Sequence, residues 1–401
     1  MINETYRAML GKKSVIRELS ELATRMAAES DPAHPIEIFD YSLGNPSVPV
    51  PPEVNEREIE LIRSGNPALI HGYSPTLGIP SVKEKIAASL KRRFGIPYTG
   101  ADIFPTSGAA GALAHAFRLV TKPGDEILTF APFFPEYGPY IAPTGATLKI
   151  VPADTKAFQI DFEALDAMLT EKVQALLINT PNNPSGAMYS EETLKELASL
   201  LERKESQLGH EIWLISDEPY REIVFDGKKQ PYPAAYWPRT LTCYSFSKSL
   251  SMPGDRIGYV AVNPACGCSA ELVAMCGQIS RGLGHNCPTA LMQLVTADCC
   301  DMTSDLSVYE TNMNLLYDCL TGIGFSVVRP GGTFYMMPKA PEEDANAFSR
   351  KALRHHLVLV PCDTFHLPGY FRIAYCTDTE KVKRSLPAFR ELMREEYGVN
   401  C

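Results

Sequence analysis

Between residues 100 and 260, short apolar runs rich in β-branched residues alternate with stretches whose apolar positions recur every three or four residues. The runs at 175–179 (Ala-Leu-Leu-Ile-Asn) and 212–216 (Ile-Trp-Leu-Ile-Ser) are almost continuously apolar, the pattern of strands buried on both faces. Further strands are predicted at 127–130, entered through the turn Pro123-Gly124-Asp125, and at 148–151, 241–245 and 257–262. Helices are predicted between them. Phe162, Leu165 and Leu169 share one helical face behind Asp161, whose side chain can cap free backbone N–H groups. Beyond Ser190, Glu191 and Glu192 fall in a first turn, where the helix dipole favours negative charge, and Leu194, Leu197 and Leu201 form the apolar stripe. Strands and helices alternating at this spacing imply a mainly parallel sheet covered by helices on both faces.

The flanks have a different rhythm. The first fifty residues hold one amphipathic stretch, Val15–Ala28, and a proline-rich segment at 45–52. From about 300 onward the pattern gives a helix, a Gly331-Gly332 turn, a strand at 333–337 and more helix. Both ends are therefore expected to build a second, smaller domain against the central sheet. The 401 residues suit two or three compact units. The expected division is an N-terminal arm and part of the small domain at 1–50, a large domain at 51–295 and a small C-terminal domain at 296–401.

Composition narrows the function classes. Hydrophobic residues make up 45% and charged residues 21%, a globular rather than a disordered balance. The net charge of −9, without a basic block, argues against nucleic acid or an anionic membrane as partner. No apolar stretch reaches the roughly 18–20 residues that span a bilayer, and the first ten residues lack the apolar core of a signal peptide. Eleven cysteines follow neither a disulfide framework nor a zinc pattern: Cys266 and Cys268 are one residue apart, and Cys299 and Cys300 are adjacent. They read as reduced, small buried hydrophobes in a cytoplasmic protein. His71, His115 and His285 have no metal-ligand spacing, so no metal is expected.

In α/β sheets, ligands sit beyond the carboxyl ends of the strands. There the chain offers Thr180-Pro181-Asn182-Asn183-Pro184-Ser185-Gly186, then Asp217-Glu218-Pro219-Tyr220, then Phe246-Ser247-Lys248-Ser249 with Arg256 eight residues past the lysine. A small-residue turn, Ser107-Gly108-Ala109-Ala110-Gly111, precedes another helix. An amide, a carboxylate, a phenol, a lysine and an arginine would converge on one rim. These groups can hold pyridoxal 5′-phosphate: a lysine amine for its aldehyde, a buried carboxylate for its ring nitrogen, and N–H groups, hydroxyls and a guanidinium for its phosphate.

The blocks at 179–186, 216–220 and 245–256 resemble the signature segments of the class I/II aminotransferases, the aspartate aminotransferase family of fold type I. Ser-Phe-Ser-Lys-Ser-x-x-Met-Pro-Gly-Asp-Arg-Ile-Gly resembles that family's lysine motif, and the matching blocks run in family order from Gly44 to Arg372. The resemblance implies an α/β fold with a mostly parallel seven-stranded sheet sandwiched by helices, plus a smaller α+β domain from both termini. It implies Lys248 as the Schiff-base lysine, Asp217 as the partner of the ring nitrogen, and Asn183 and Tyr220 as ligands of the ring oxygen. Ser107, Gly108, Ser245, Ser247 and Arg256 fall at phosphate-binding positions, with backbone N–H groups from Ala109 and Ala110. At Ala109 and Ala110 the chain departs from the family's common pairs and lacks a side-chain hydroxyl. Phe134 falls where an aromatic ring stacks on the cofactor. Arg372 and Gly44 correspond to groups facing the substrate α-carboxylate, with Asn183 a substrate-binding position as well, and Tyr73 corresponds to a tyrosine reaching the phosphate of a neighbouring subunit, which implies a homodimer.

Other uses exist for single residues. Asp217 could cap a helix, Tyr220 and Phe134 could simply pack, and Arg372 could sit on an exposed strand edge. Arg281 serves equally as a distal-carboxylate arginine or as a surface residue. The implied activity is transamination between an L-amino acid and a 2-oxo acid by a ping-pong cycle, with aspartate or an aromatic donor and 2-oxoglutarate as acceptor. The same residues would also serve a C–S β-lyase, a decarboxylase or a synthase. A DNA-binding regulator built on this fold needs an appended domain, for which the segment before Phe39 is too short and insufficiently basic.

Overall fold

Seven strands pair into one sheet: β1 (Ile103–Thr106), β2 (Glu126–Phe130), β3 (Thr147–Val151), β4 (Val173–Asn179), β5 (Trp213–Asp217), β6 (Thr240–Ser245) and β7 (Gly258–Val262). Their order is β1-β7-β6-β5-β4-β2-β3. Strands β2 to β6 are parallel, and β7 runs antiparallel to both β6 and β1. The structure, a computed structural model, describes residues 2, 4–10, 14–29 and 36–399. Alternate residues of the central strands enter two separate cores. Leu177, Ile215 and Leu241 pack with Phe117 on one face, and Leu176, Ile178 and Leu214 pack with Leu197 and Leu201 on the other. Continuous apolar runs are what a sheet covered on both faces requires.

The register sets the site. Asn179 lies opposite Asp217, Asp217 opposite Cys243, and Ser245 opposite Gly258. Three polar strand ends therefore share one edge with the start of the helix following β1. Three helices matter below: α1 (Val15–Ala28), α2 (Gly108–Val120) and α3 (Ser269–Leu283).

A smaller antiparallel sheet joins Val360–Pro361, Phe371–Ala374 and Tyr335–Met336, while Phe39–Asp40 pairs in parallel with Leu357–Val358. Phe39, Tyr41 and Val48 share a core with Tyr309, Phe348, Phe371 and Phe389, so the early and late parts of the chain pack together. Tyr220 belongs to that core too, which ties the segment after β5 to the second layer.

Two expected elements come out shorter. The strand expected at 333–337 is confined to Tyr335–Met336, because Gly331 and Gly332 donate to the Gly186 carbonyl and Thr333 takes φ +64°. The helix after Asp161 runs Phe162–Met168, and Leu169, in extended conformation, ends it. Among the described residues no helix is long and apolar enough to cross a membrane.

Candidate active site

Asp217 ends β5, whose other residues are apolar except Ser216, and is 5% exposed. The Asn179 side chain, one strand over, donates to the Asp217 carbonyl at 2.8 Å and accepts from the Asn183 N–H at 2.7 Å. One amide thus fixes both the aspartate and the turn carrying Asn183. Tyr137 donates to Asp217 Oδ2 at 2.6 Å, whereas Oδ1 is buried without a partner. Burial pushes the Asp217 carboxyl up to about 7; the Tyr137 bond works against this, and the Glu218 carboxylate adds to it.

Lys248 sits in a short helix, Phe246–Ser249, capped by Ser245 Oγ accepting from the Ser247 N–H. Its Nζ donates to the Gly44 carbonyl at 2.8 Å and lies 5.3 Å from the centre of the Phe334 ring. Burial lowers this amine to about 8; Cys376 opposes the shift, and Arg256 and Arg372 reinforce it. Gly44 must be a glycine, because a Cβ there would stand 1.7 Å from Tyr335 Oη.

A cationic pole lies at the start of α2. Arg256, itself at φ +50°, donates to the carbonyls of Pro253 and Ser107, and a Cβ at Gly108 would stand 2.7 Å from its guanidinium. Ser245 and Ser247 hydroxyls share a hydrogen bond of 2.6 Å beside it. Free N–H groups at a helix start, two hydroxyls and a guanidinium make an anion site.

Arg372, 1% exposed, is held between aromatic faces, 4.6 Å from the centre of Tyr335 and 5.1 Å from that of Phe365. It donates to Asn183 Oδ1 at 3.1 Å and to the Ser42 carbonyl, and its Nε has no partner. Among the described residues no carboxylate pairs with Arg372, Lys248 or Arg256. A buried guanidinium without a counterion is costly unless an anion arrives to meet it.

These groups line one cavity of about 310 Å³. Gly44, Ala109, Ala110, Phe134, Asn183, Asp217, Tyr220, Ser245, Ser247, Lys248, Arg256 and Arg372 all reach it. Ser107 and Gly108 lie just behind its cationic pole, beneath Arg256. Tyr73 does not reach it and is 97% exposed; Arg281, at the end of α3, is exposed as well. Sequence reasoning missed Ile16 of α1, Tyr140, Tyr335 and Leu113, which complete the wall, and Tyr137, which orients Asp217. Tyr335 lay in a strand where an aromatic reads as core.

Behind the cavity lies a buried ionic cluster. Arg221 donates to Glu218, Glu222 and the Tyr259 hydroxyl at 3.4, 3.2 and 3.0 Å and stacks 4.1 Å from the centre of the Tyr244 ring. Glu222 also accepts from Arg93 and Tyr244, each at 2.8 Å, and Tyr244 in turn hydrogen-bonds Ser249. The cluster thereby touches the immediate neighbours of both Asp217 and Lys248.

A family model described as aminotransferase class I and II matches residues 36–389. A solved amino transferase from Eubacterium rectale is 42% identical and superposes with a TM-score of 0.95 over 99% of each chain. An aspartate aminotransferase from Thermus thermophilus, solved with maleate, is 25% identical with a TM-score of 0.84, covering 98% of this chain and 99% of the other. A probable aspartate/prephenate aminotransferase from Thermus aquaticus is 29% identical over 375 residues, 90% of this chain and 92% of its own length.

Proposed function

Since the chain belongs to the class I and II aminotransferases and is a transaminase, we propose that it uses pyridoxal 5′-phosphate, bound through Lys248, to interconvert an L-amino acid and a 2-oxo acid. The observation that carries this reading is Asp217. One oxygen of its buried carboxylate is satisfied by Tyr137 and the other faces no donor, which suits a ring N–H. The remaining donors fit the same group. Ala109, Ala110, Ser245, Ser247 and Arg256 make a site for the phosphate, and the bare Cα of Gly108 leaves room for the guanidinium. When bound, the cofactor supplies an electron-poor ring that draws off the electron pair left on the substrate α-carbon.

The protein's own groups do the rest. Asp217 keeps a proton on the ring nitrogen by a charge-assisted hydrogen bond. Asn183 Oδ1 is taken by Arg372, so its Nδ2 is the atom left to donate to the ring oxygen, beside the Tyr220 hydroxyl. Lys248 Nζ would be the base that takes the proton from the substrate Cα and would deliver it to the carbon that carried the cofactor's aldehyde. Its lowered basicity, with Gly44 accepting its proton-bearing face, suits an amine that must be neutral for part of the cycle. Arg372 grips the α-carboxylate with its planar fork, supported by the Tyr335 face.

Each cation lining the cavity has a task in this scheme. The wall left for the substrate side chain, Ile16, Tyr140, Phe134 and Tyr335, is apolar and aromatic. Within the family-level pair of donors, aspartate or an aromatic amino acid with 2-oxoglutarate as acceptor, this wall supports the aromatic one. Exposed Ile59, Ile62, Leu69 and Tyr73 support a homodimer in which Tyr73 serves the neighbouring phosphate. Ten reduced thiols among the described cysteines support a reducing, cytoplasmic location.

A single half-reaction tests the reading. Holoenzyme mixed with an aromatic amino acid should release one equivalent of 2-oxo acid per chain and no ammonia. The Lys248→Ala variant should fold, yet lose both turnover and the lysine-dependent visible absorbance. Turnover by that variant, or ammonia from the wild type, would overturn it.

A further inference from the structure

The cysteine pair at 266 and 268 has no part in the transaminase site. The chain leaves β7 at Val262, pairs Val262 with Leu241 at the end of the sheet opposite Ser245, and turns at once through Pro264–Cys266 into α3. Cys266 and Cys268 flank this turn at the far end of the sheet from the cavity. Neither is fully buried. Cys268 Sγ donates to Cys266 Sγ at 3.7 Å, so the two side chains already face one another. Gly267 between them takes φ +77° and ψ −5°, and nothing lies within 4 Å of the position a Cβ would occupy. Such a bend folds the flanking residues toward each other, the direction a disulfide requires. Both side chains lean on the edge of the core that holds Leu272 and Val273, and rotation about the two Cα–Cβ bonds is what closure requires.

We propose that Cys266 and Cys268 are an oxidisable dithiol that reacts with small-molecule disulfides to form an intramolecular Cys266–Cys268 bond. Cys266, which accepts the Cys268 S–H, is the nucleophile. Its thiolate attacks one sulfur of a disulfide such as oxidised glutathione, forming a mixed disulfide and expelling one glutathione thiolate. Cys268 then gives up its proton and attacks Cys266 Sγ, expelling the second glutathione. Two protein thiols are oxidised by two electrons, and one glutathione disulfide is reduced to two thiols. Burial, the Cys266 sulfur and the nearby Glu211 and Glu271 carboxylates hold the Cys268 thiol up at about 11. The other cysteines divide differently: Cys243, Cys276, Cys299, Cys319, Cys362 and Cys376 are buried, where thiols are inert.

The test uses intact holoenzyme incubated with oxidised glutathione, alkylated under native conditions, digested and weighed. The peptide carrying residues 266–268 should lose the mass of two hydrogens, take up no alkyl group, and regain both thiols with dithiothreitol. The Cys268→Ser variant should stop at a stable glutathione adduct on Cys266. A glutathione adduct persisting on the wild-type peptide would show that the two sulfurs cannot meet. Full alkylation of both thiols after the incubation would show that neither exchanges. Either result overturns the proposal.

Discussion

Asp217 carries a cost that can be measured. Its carboxyl is raised from an ordinary 3.8 to about 7 by burial. At about 1.4 kcal/mol for each pH unit, the difference amounts to roughly 4 kcal/mol. The sign follows from proton binding. Between pH 4 and 7 the folded, cofactor-free protein binds the proton that the unfolded chain has released, so stability falls as pH rises through that window. Below pH 4 both states are protonated and the penalty vanishes; above about 7 it is complete. Asp217→Asn removes the titration while still accepting from Tyr137. In the cofactor-free protein this variant should therefore gain up to about 4 kcal/mol over wild type at pH 8 and almost nothing at pH 4. Urea unfolding of both proteins at the two pH values measures it. The same variant should bind cofactor more weakly and turn over far more slowly, since a neutral amide cannot hold the ring proton. An equal stability difference at pH 4 and pH 8 would refute the claim that a buried, uncompensated charge sits at this position.

Three further outcomes follow from the geometry. Arg372→Ala should weaken productive binding of the substrate carboxylate by about 1.5–3 kcal/mol or more, read as a drop in kcat/KM of at least tenfold. Gly44→Ala puts a methyl group 1.7 Å from Tyr335 Oη and should depress activity, and Tyr335→Phe added to it should restore part of the loss, as steady-state rates of the three variants will show. Arg221→Met leaves the buried Glu218 without a cation and Glu222 with Arg93 alone, and should cost about 3–5 kcal/mol in denaturant unfolding, whereas a surface arginine such as Arg394 replaced by Met should cost well under 1 kcal/mol.

Much of the architecture was legible because the central strands are buried on both faces. A strand with one wet face reads as alternation, but 175–179 and 212–216 read as unbroken apolar runs, and only a sheet covered by helices produces those. The strand end at Asp217 was harder to place. The apolar run stops at Ser216, yet the Asp217 backbone still pairs with Cys243, so the most important polar residue belongs to the strand rather than to the loop. The candidate site was legible through its charges, since Asp217 ends a mostly apolar run and Lys248 and Arg256 stand eight residues apart in the serine-rich block after another. Its aromatic half was not. Tyr137 and Tyr335 have the same sequence signature as core residues, and only the direction of each hydroxyl distinguishes them. The Arg221 cluster was invisible for a related reason: Asp217-Glu218-Pro219-Tyr220-Arg221-Glu222 reads as a solvated loop, and nothing local shows that Tyr244, Tyr259 and Phe94 close over it.

The two buried arginines show how the fold separates support from chemistry. Arg221 is surrounded by acceptors, with carboxylates from Glu218 and Glu222 and a phenol from Tyr259, so its charge is neutralised within the protein. Arg372 is equally buried but has only an amide and a carbonyl for partners, with aromatic faces above and below. Lys248 likewise has a carbonyl rather than a carboxylate. Asp217 reaches the same cavity but pairs with none of the three cations, and in a chain of net charge −9 their lack of a paired carboxylate is not a matter of supply. Three uncompensated cations raise the local potential where a phosphate and a substrate carboxylate would sit, and an internal carboxylate would occupy the very guanidinium that must accept them. Introducing one tests this directly. Tyr335→Glu should form an ion pair with Arg372, raise resistance to urea at neutral pH relative to Tyr335→Gln, and abolish carboxylate recognition, so that greater stability and lost activity arise from the same bond.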